Sequence, residues 1–271
     1  MLKAVLRPLD ALGALVVEAL AHVGSVLLLL ASAAGWLVRG ICSRKVRLGR
    51  TAMITQIIRV GVRSVFIISL VSASVGLILS LQMAPPLEQL GQQDKLANII
   101  GVAVLRELGP LISAIVLIGF AGAAITAEIG TMVVGEEIEA LEAHALNPVR
   151  FLVVPRVIAT LLSMTALAVF ADIVAIAASI FISIVAVGLT FSQYWDNVLF
   201  QVRFVDFYTG VIKAAVFGLL IGAIACANGL RVTGGAAGVG RATTATVVQC
   251  VVAVVVADLI FTASFYIFGL V

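Results

Sequence analysis

Between Val157 and Leu189 the chain runs for about 33 residues with one charged side chain, Asp172. Lipid offers no partner to an unpaired backbone N–H or C=O, so a segment that crosses a bilayer must be helical or part of a closed barrel. Roughly 20 apolar residues of helix suffice to cross. This run exceeds that and must tilt, break or project. Similar runs recur at Val62–Met83, Ile99–Ala127, Phe207–Ala227 and Val247–Phe268. The expected fold is an all-α integral membrane protein with five transmembrane helices. Composition agrees: 62% of residues are hydrophobic and 11% charged, against about 45–50% and 25% in soluble domains. A net charge of +3 is too small to suggest nucleic acid.

The segments between the runs are predicted as follows. Pro85-Pro86 stops the first span, and Leu87–Asn98 is a polar loop. Thr190–Asp206 is a wet loop with Tyr194 and Trp195 as interface anchors. Gly229–Thr246 is a Gly- and Thr-rich turn, with Thr243 and Thr244 near the cap of the last helix. At the N-terminus, Leu2, Val5, Leu6, Leu9, Leu12 and Val16 recur at helical spacing. Residues 1–43 are read as an amphipathic helix in the cytoplasmic interface, with a retained signal-anchor as the alternative. Residues 44–61 form a basic linker carrying Arg44, Lys45, Arg47, Arg50 and Arg59, followed by Arg63. Such a cluster marks the cytoplasmic side. With it inside, Arg150, Arg156, Arg231 and Arg241 also fall inside.

That orientation places an acidic segment in the cytoplasm. Glu136, Glu137, Glu139 and Glu142 follow Gly135, and Asn147-Pro148 closes the run. Gly before and Asn-Pro after are helix-boundary signals, giving a short helix over 136–145. Ile138, Leu141 and Ala145 form an apolar stripe along it. A solvated connecting helix accounts for it equally well. The anionic inner leaflet, however, repels these acids, so a basic protein partner suits them better.

Ionisable residues inside spans are costly, about 2.5–3.5 kcal/mol each at a helix centre on insertion scales, and are expected to pair in a bundle interior. Arg106, Glu107, Lys213 and Asp258 fall at similar depth toward the outer face and make a neutral cluster of two acids and two bases. Its role is either functional or a lock between helices. Asp172 stands apart and is assigned to helix packing. Gly235 to Gly240 has the spacing of a phosphate-binding loop, but Arg241 and Ala242 stand where Lys and Ser/Thr are required. Cys42, Cys226 and Cys250 fit no metal or disulfide pattern, and His22 and His144 have no ligand context. No nucleophilic triad, HExxH pair or paired catalytic carboxylates occur, so no covalent chemistry is expected of the chain.

The stretch Arg106–Ala159, RELGPLISAIVLIGFAGAAITAEIGTMVVGEEIEALEAHALNPVRFLVVPRVIA, resembles the signature core of MlaE/YrbE-type permeases. Gly238–Phe265 is similar to the same family's C-terminal region, so the resemblance covers nearly the whole chain. These are membrane subunits of bacterial ABC transporters that move lipids between the inner and outer membranes. The resemblance implies a single permease domain over 1–271, acting as a homodimer in the inner membrane. It also implies a cytoplasmic ATPase that supplies the ATP and magnesium chemistry, a periplasmic MCE-domain protein and, in some systems, a STAS-domain protein. Glu136, Glu137, Ile138, Glu139 and Leu141 match the helix that docks on the ATPase. Arg106, Glu107, Lys213 and Asp258 match a polar cluster near the lipid cavity. Phospholipid is the common cargo, sterols or other lipids the variants. A secondary transporter driven by protons through Asp172 or Asp258 is the rival, though no internal repeat supports it. A lipid enzyme is a second, lacking any nucleophile set.

Overall fold

The computed structural model describes residues 2–42 and 50–269. Side chains are described throughout these except at 2–12, 14–16, 18, 19, 40–42 and 50. Arg44, Lys45 and Arg47 therefore lie outside the described residues. So do the side chains of the N-terminal amphipathic stripe. Among the described residues the chain is helical, with no strand.

The helices are α1 (Leu2–Cys42), α2 (Arg50–Val60), α3 (Val65–Gln89), α4 (Leu96–Ala103), α5 (Gly109–Leu117) and α6 (Ala123–Val134), then α7 (Glu137–Ala143), α8 (Val154–Val187), α9 (Phe191–Gln201), α10 (Phe204–Leu230) and α11 (Gly235–Ile267). Among the described residues six stretches are long and apolar enough to cross a membrane: the five expected and Leu20–Arg39 within α1. α4, α5 and α6 are joined by π-helical turns at Val104–Leu108 and Ile118–Gly122 into one helical column, Gln93–Val134.

The bundle is built around α8 and α10, which pack against each other and against α3, α5, α6 and α11. Close approach is possible because glycines face the seams. A Cβ on Gly76 would come 2.1 Å from the Ala175 carbonyl oxygen, and one on Gly218 2.7 Å from that of Thr160. In lipid, where apolar surface gains little by leaving its solvent, this backbone-to-backbone contact drives helix association. α11 and the apolar part of α1 are least covered, with large apolar side chains such as Leu28, Val252 and Leu259 exposed. A hydroxyl chain ties together the end of the bundle that carries α9. Ser80 of α3 lies 2.7 Å from Ser179 of α8, and Ser179 lies 2.8 Å from the Tyr194 hydroxyl of α9.

Several predicted boundaries are corrected. Pro85 and Pro86 do not stop α3, which continues to Gln89. Proline's fixed φ is helical, and the two missing N–H groups leave two carbonyls of the preceding turn without their helical donors. Leu87 makes the extension worthwhile by packing beside Leu96 and Ile100. The loop expected over 87–98 shrinks to a turn, because α4 begins at Leu96. The expected wet loop at 190–206 contains α9, started by a capping box. The Gln193 N–H donates to the Thr190 hydroxyl at 3.3 Å, and the Thr190 N–H donates to Gln193 Oε1 at 3.0 Å. Tyr194 is fully buried there, so only Trp195 of the two expected anchors is exposed. The Gly-rich turn expected over 229–246 is mostly α11. Its first residue is Gly235, and Thr243 and Thr244 bond back to Val239 and Gly240 carbonyls inside the helix rather than capping it. The linker expected over 44–61 is helical from Arg50 onward.

Candidate functional site

The π-helical turn Val104–Leu108 carries Arg106 and Glu107. A π turn inserts one extra residue into an α-helix and re-aims the side chains around it, a feature common at functional sites. The turn lies on α10, where Asp206, Gly210 and Lys213 share one face at helical spacing. Gly210 sits under it: a Cβ there would be 2.0 Å from the Leu105 carbonyl oxygen. The neighbours Arg106 and Glu107 thereby reach two different places along α10.

Glu107 meets Lys213. The ammonium, only 1% exposed, lies 2.6 Å from Glu107 Oε2 and 2.9 Å from Asp258 Oδ1, and donates to the Thr262 hydroxyl at 2.8 Å. Thr262 in turn donates to Glu107 Oε1 at 3.0 Å. The three protons of a lysine ammonium thus face three oxygens from the π turn and α11. The Asp258 contact is electrostatic rather than a well-aligned hydrogen bond. One cation facing two carboxylates leaves an excess of negative charge. Glu107, more than a third exposed, is the edge through which the group meets its surroundings.

Arg106 belongs elsewhere, which corrects the expected four-member cluster. Its Nε and Nη2 both lie 2.5 Å from Asp206 Oδ1. Asp206 is 1% exposed, and its Oδ2 accepts the Arg203 N–H at 2.7 Å, capping α10. The expected cluster is therefore two groups: Glu107–Lys213–Asp258 with Thr262, and Arg106–Asp206. Asp206 was hidden by its placement in a loop. Thr262 carries no charge and gave no signal in an apolar run.

At the other end of the bundle Glu128 of α6 is held between Arg59 of α2 and Arg156 of α8, the latter at 3.2 Å. Sequence reading did not connect these three. They anchor the base of α6, from which the acidic segment projects.

That segment folds as α7, Glu137–Ala143, shorter than the expected 136–145. Glu136 and Ala145, at its two ends, are the only non-glycine residues with positive φ among those described, at 59° and 56°. At the C-terminal end the Leu146 N–H donates to the Leu141 carbonyl at 2.9 Å and the Ala145 N–H to that of Glu142 at 2.9 Å. This is a Schellman closure, and it ends the helix before Ala145. Left-handed backbone costs a non-glycine residue about 1–2 kcal/mol, and such strain gathers at functional segments. Glu136, Glu137, Glu139 and Glu142 are all exposed, and Ile138 and Leu141 are half-buried. No residue of α7 is buried. The helix presents carboxylates around a small apolar centre, a surface suited to a basic partner. Asp172 joins neither charged group.

The model of the MlaE permease family matches residues 53–264. A probable ABC transporter permease protein of Rickettsia prowazekii is 31% identical over 79% of this chain and 83% of its own length. The chloroplastic protein trigalactosyldiacylglycerol 1 of Arabidopsis thaliana is 33% identical over 86% of this chain and 66% of its own. A probable ABC transporter permease protein of a Synechocystis strain is 32% identical over 78% of this chain and 81% of its own.

Proposed function

The chain belongs to the MlaE permease family, and from that premise we propose that it is the membrane subunit of an ABC transporter that moves lipids, phospholipids above all, between bacterial inner and outer membranes. It is a multi-pass membrane protein, placed by this reading in the inner membrane as a homodimer. The observation that carries the reading is α7: a strained, exposed acidic helix between two long membrane columns, in a chain whose relatives include ABC transporter permeases. The Arabidopsis relative carries a glycolipid in its name, which supports a lipid cargo.

On this reading the mechanism runs as follows. A cytoplasmic ATPase docks on Glu136, Glu137, Ile138, Glu139 and Leu141 and supplies ATP and magnesium chemistry. When its nucleotide domains close, they push α7. Because α7 is joined to α6, and Glu128 fixes α6 to α2 and α8, the push moves spans as rigid bodies rather than bending a loop. Acyl tails meet the apolar faces of the spans. The Glu107–Lys213–Asp258 group stands near the headgroup, with Glu107 turned outward. A periplasmic MCE-domain protein receives or delivers the lipid, and a STAS-domain protein completes the assembly in some systems.

Reconstitution tests this. The chain and its co-expressed ATPase, in proteoliposomes carrying labelled phospholipid, should move lipid only with hydrolysable ATP. Lipid movement that ignores ATP and stops when the proton gradient is collapsed would instead establish the proton-driven rival.

A further inference from the structure

The helical column Gln93–Val134 is interrupted by two π-helical turns. Val104–Leu108 carries the charged site, while Ile118–Gly122 carries no charge. Gly119, within the second turn, is exposed. A Cβ there would meet nothing within 4 Å, and its φ is not positive. Neither packing nor backbone geometry therefore calls for glycine at this place. From α3 to α10 every other glycine inside a helix meets an atom of a neighbouring element within 4 Å. Glycine weakens a helix interior relative to alanine, and a π turn exchanges the tight α ladder for wider i→i+5 bonds. Both are usual places for a helix to bend, and here they coincide.

The column is pinned on both sides of this turn and not at it. On one side Arg106 and Glu107 are held by Asp206 and Lys213. On the other, the Thr126 hydroxyl lies 2.9 Å from that of Thr246 on α11, and Glu128 is held by Arg59 and Arg156. Residues 109–125 hold one polar side chain, Ser113, and its hydroxyl has no hydrogen-bond partner. Packing changes at the same place. α5 packs chiefly on α8, whereas α6 packs on α10 and α11. The turn is thus the joint between two halves that rest on different helices.

We propose that Ile118–Gly122 is a hinge, pivoting at Gly119, about which the half of the column carrying Arg106 and Glu107 tilts against α6. The proposal rests on the reading that an ATPase drives α7, which is joined to α6. Asp258 and Thr262 stand on α11, on the α6 side of the joint. A tilt therefore draws Glu107 away from Thr262, whose hydroxyl donates to it at 3.0 Å, and opens the charged group. Asp94 lies about 25 residues, or about 38 Å, along the column from the pivot, so a tilt of about 10° moves it by about 7 Å.

Double electron–electron resonance tests the hinge in nanodiscs holding the full chain and its co-expressed ATPase. Nitroxides on p-acetylphenylalanine replace Asp94 and Tyr266, both exposed, and labelled chain is diluted with unlabelled chain. Between the nucleotide-free and ATP–vanadate states the distance should change by several ångströms. Gly119→Ala should lose at least half of that change while keeping its ATPase and its melting temperature. Gly240→Ala, on α11, also meets nothing within 4 Å and should keep the whole change. A fixed distance in the wild type, an unaltered change in Gly119→Ala, or an equal loss in Gly240→Ala overturns the hinge. So does a lower melting temperature in Gly119→Ala, because open space at Gly119 is its premise. A wild type that brings down no ATPase refutes the functional reading instead, and the chain alone then decides. Its distance distribution should narrow in Gly119→Ala, and equal widths overturn the hinge.

Discussion

Replacing Lys213 with methionine removes the ammonium while keeping an unbranched chain. The buried nitrogen holds Glu107 at 2.6 Å and Asp258 at 2.9 Å. Without it two carboxylates face each other inside the bundle with no cation between them. Removing one partner of a buried ion pair costs about 3–5 kcal/mol, most of it the uncompensated charge left behind. Glu107 is partly open to its surroundings, which places the expected loss near the lower end, about 3 kcal/mol. Adding Asp258→Asn takes away one of the stranded charges. The double variant should then recover about 1–2 kcal/mol, a coupling typical of residues in contact. The assay is a double-mutant cycle on unfolding free energies of the purified chain in detergent. Additivity within about 0.5 kcal/mol, or a Lys213→Met variant as stable as wild type, would refute the pairing.

Three other outcomes are expected. Arg106→Gln strands the buried Asp206 and should destabilise by about 3 kcal/mol; a thermal melt that does not move would show the pair to be dispensable. Gly76→Ala drives a methyl toward the Ala175 carbonyl and should cost about 1–3 kcal/mol, whereas Gly24→Ala meets nothing within 4 Å and should be neutral or slightly stabilising. Equal melts for the two glycine variants would contradict the α3–α8 packing. Thr190→Ala removes the cap of α9 and should cost about 1 kcal/mol, seen as faster hydrogen exchange confined to 191–201.

The membrane class and the positions of the columns were legible because hydropathy is summed over many residues and single exceptions do not disturb it. The ends were less legible, since they depend on one or two local contacts. Pro85 and Pro86 read as a stop, yet Leu87 found a buried neighbour in Leu96. The start of α9 was readable in principle: Thr190 and Gln193 stand at the spacing of a capping box. In the charged site, the cost of burying ions correctly drew Lys213, Glu107 and Asp258 together. The same cost points Arg106 toward that group, because Asp206 sits at the polar edge of its run and carries no sign of burial in the sequence. Thr262 could be found only in three dimensions, since a threonine in an apolar span has no cost that demands a partner.

In the proposed mechanism α7 is where an ATPase grips this permease. The most direct measurement is co-purification of the tagged chain with its co-expressed ATPase, compared with a variant in which Glu136, Glu137 and Glu139 are changed to lysine. These side chains are exposed, so the variant should keep its melting behaviour. The wild type should bring the ATPase down and the folded variant should not. A folded variant that retains the ATPase in full would contradict it.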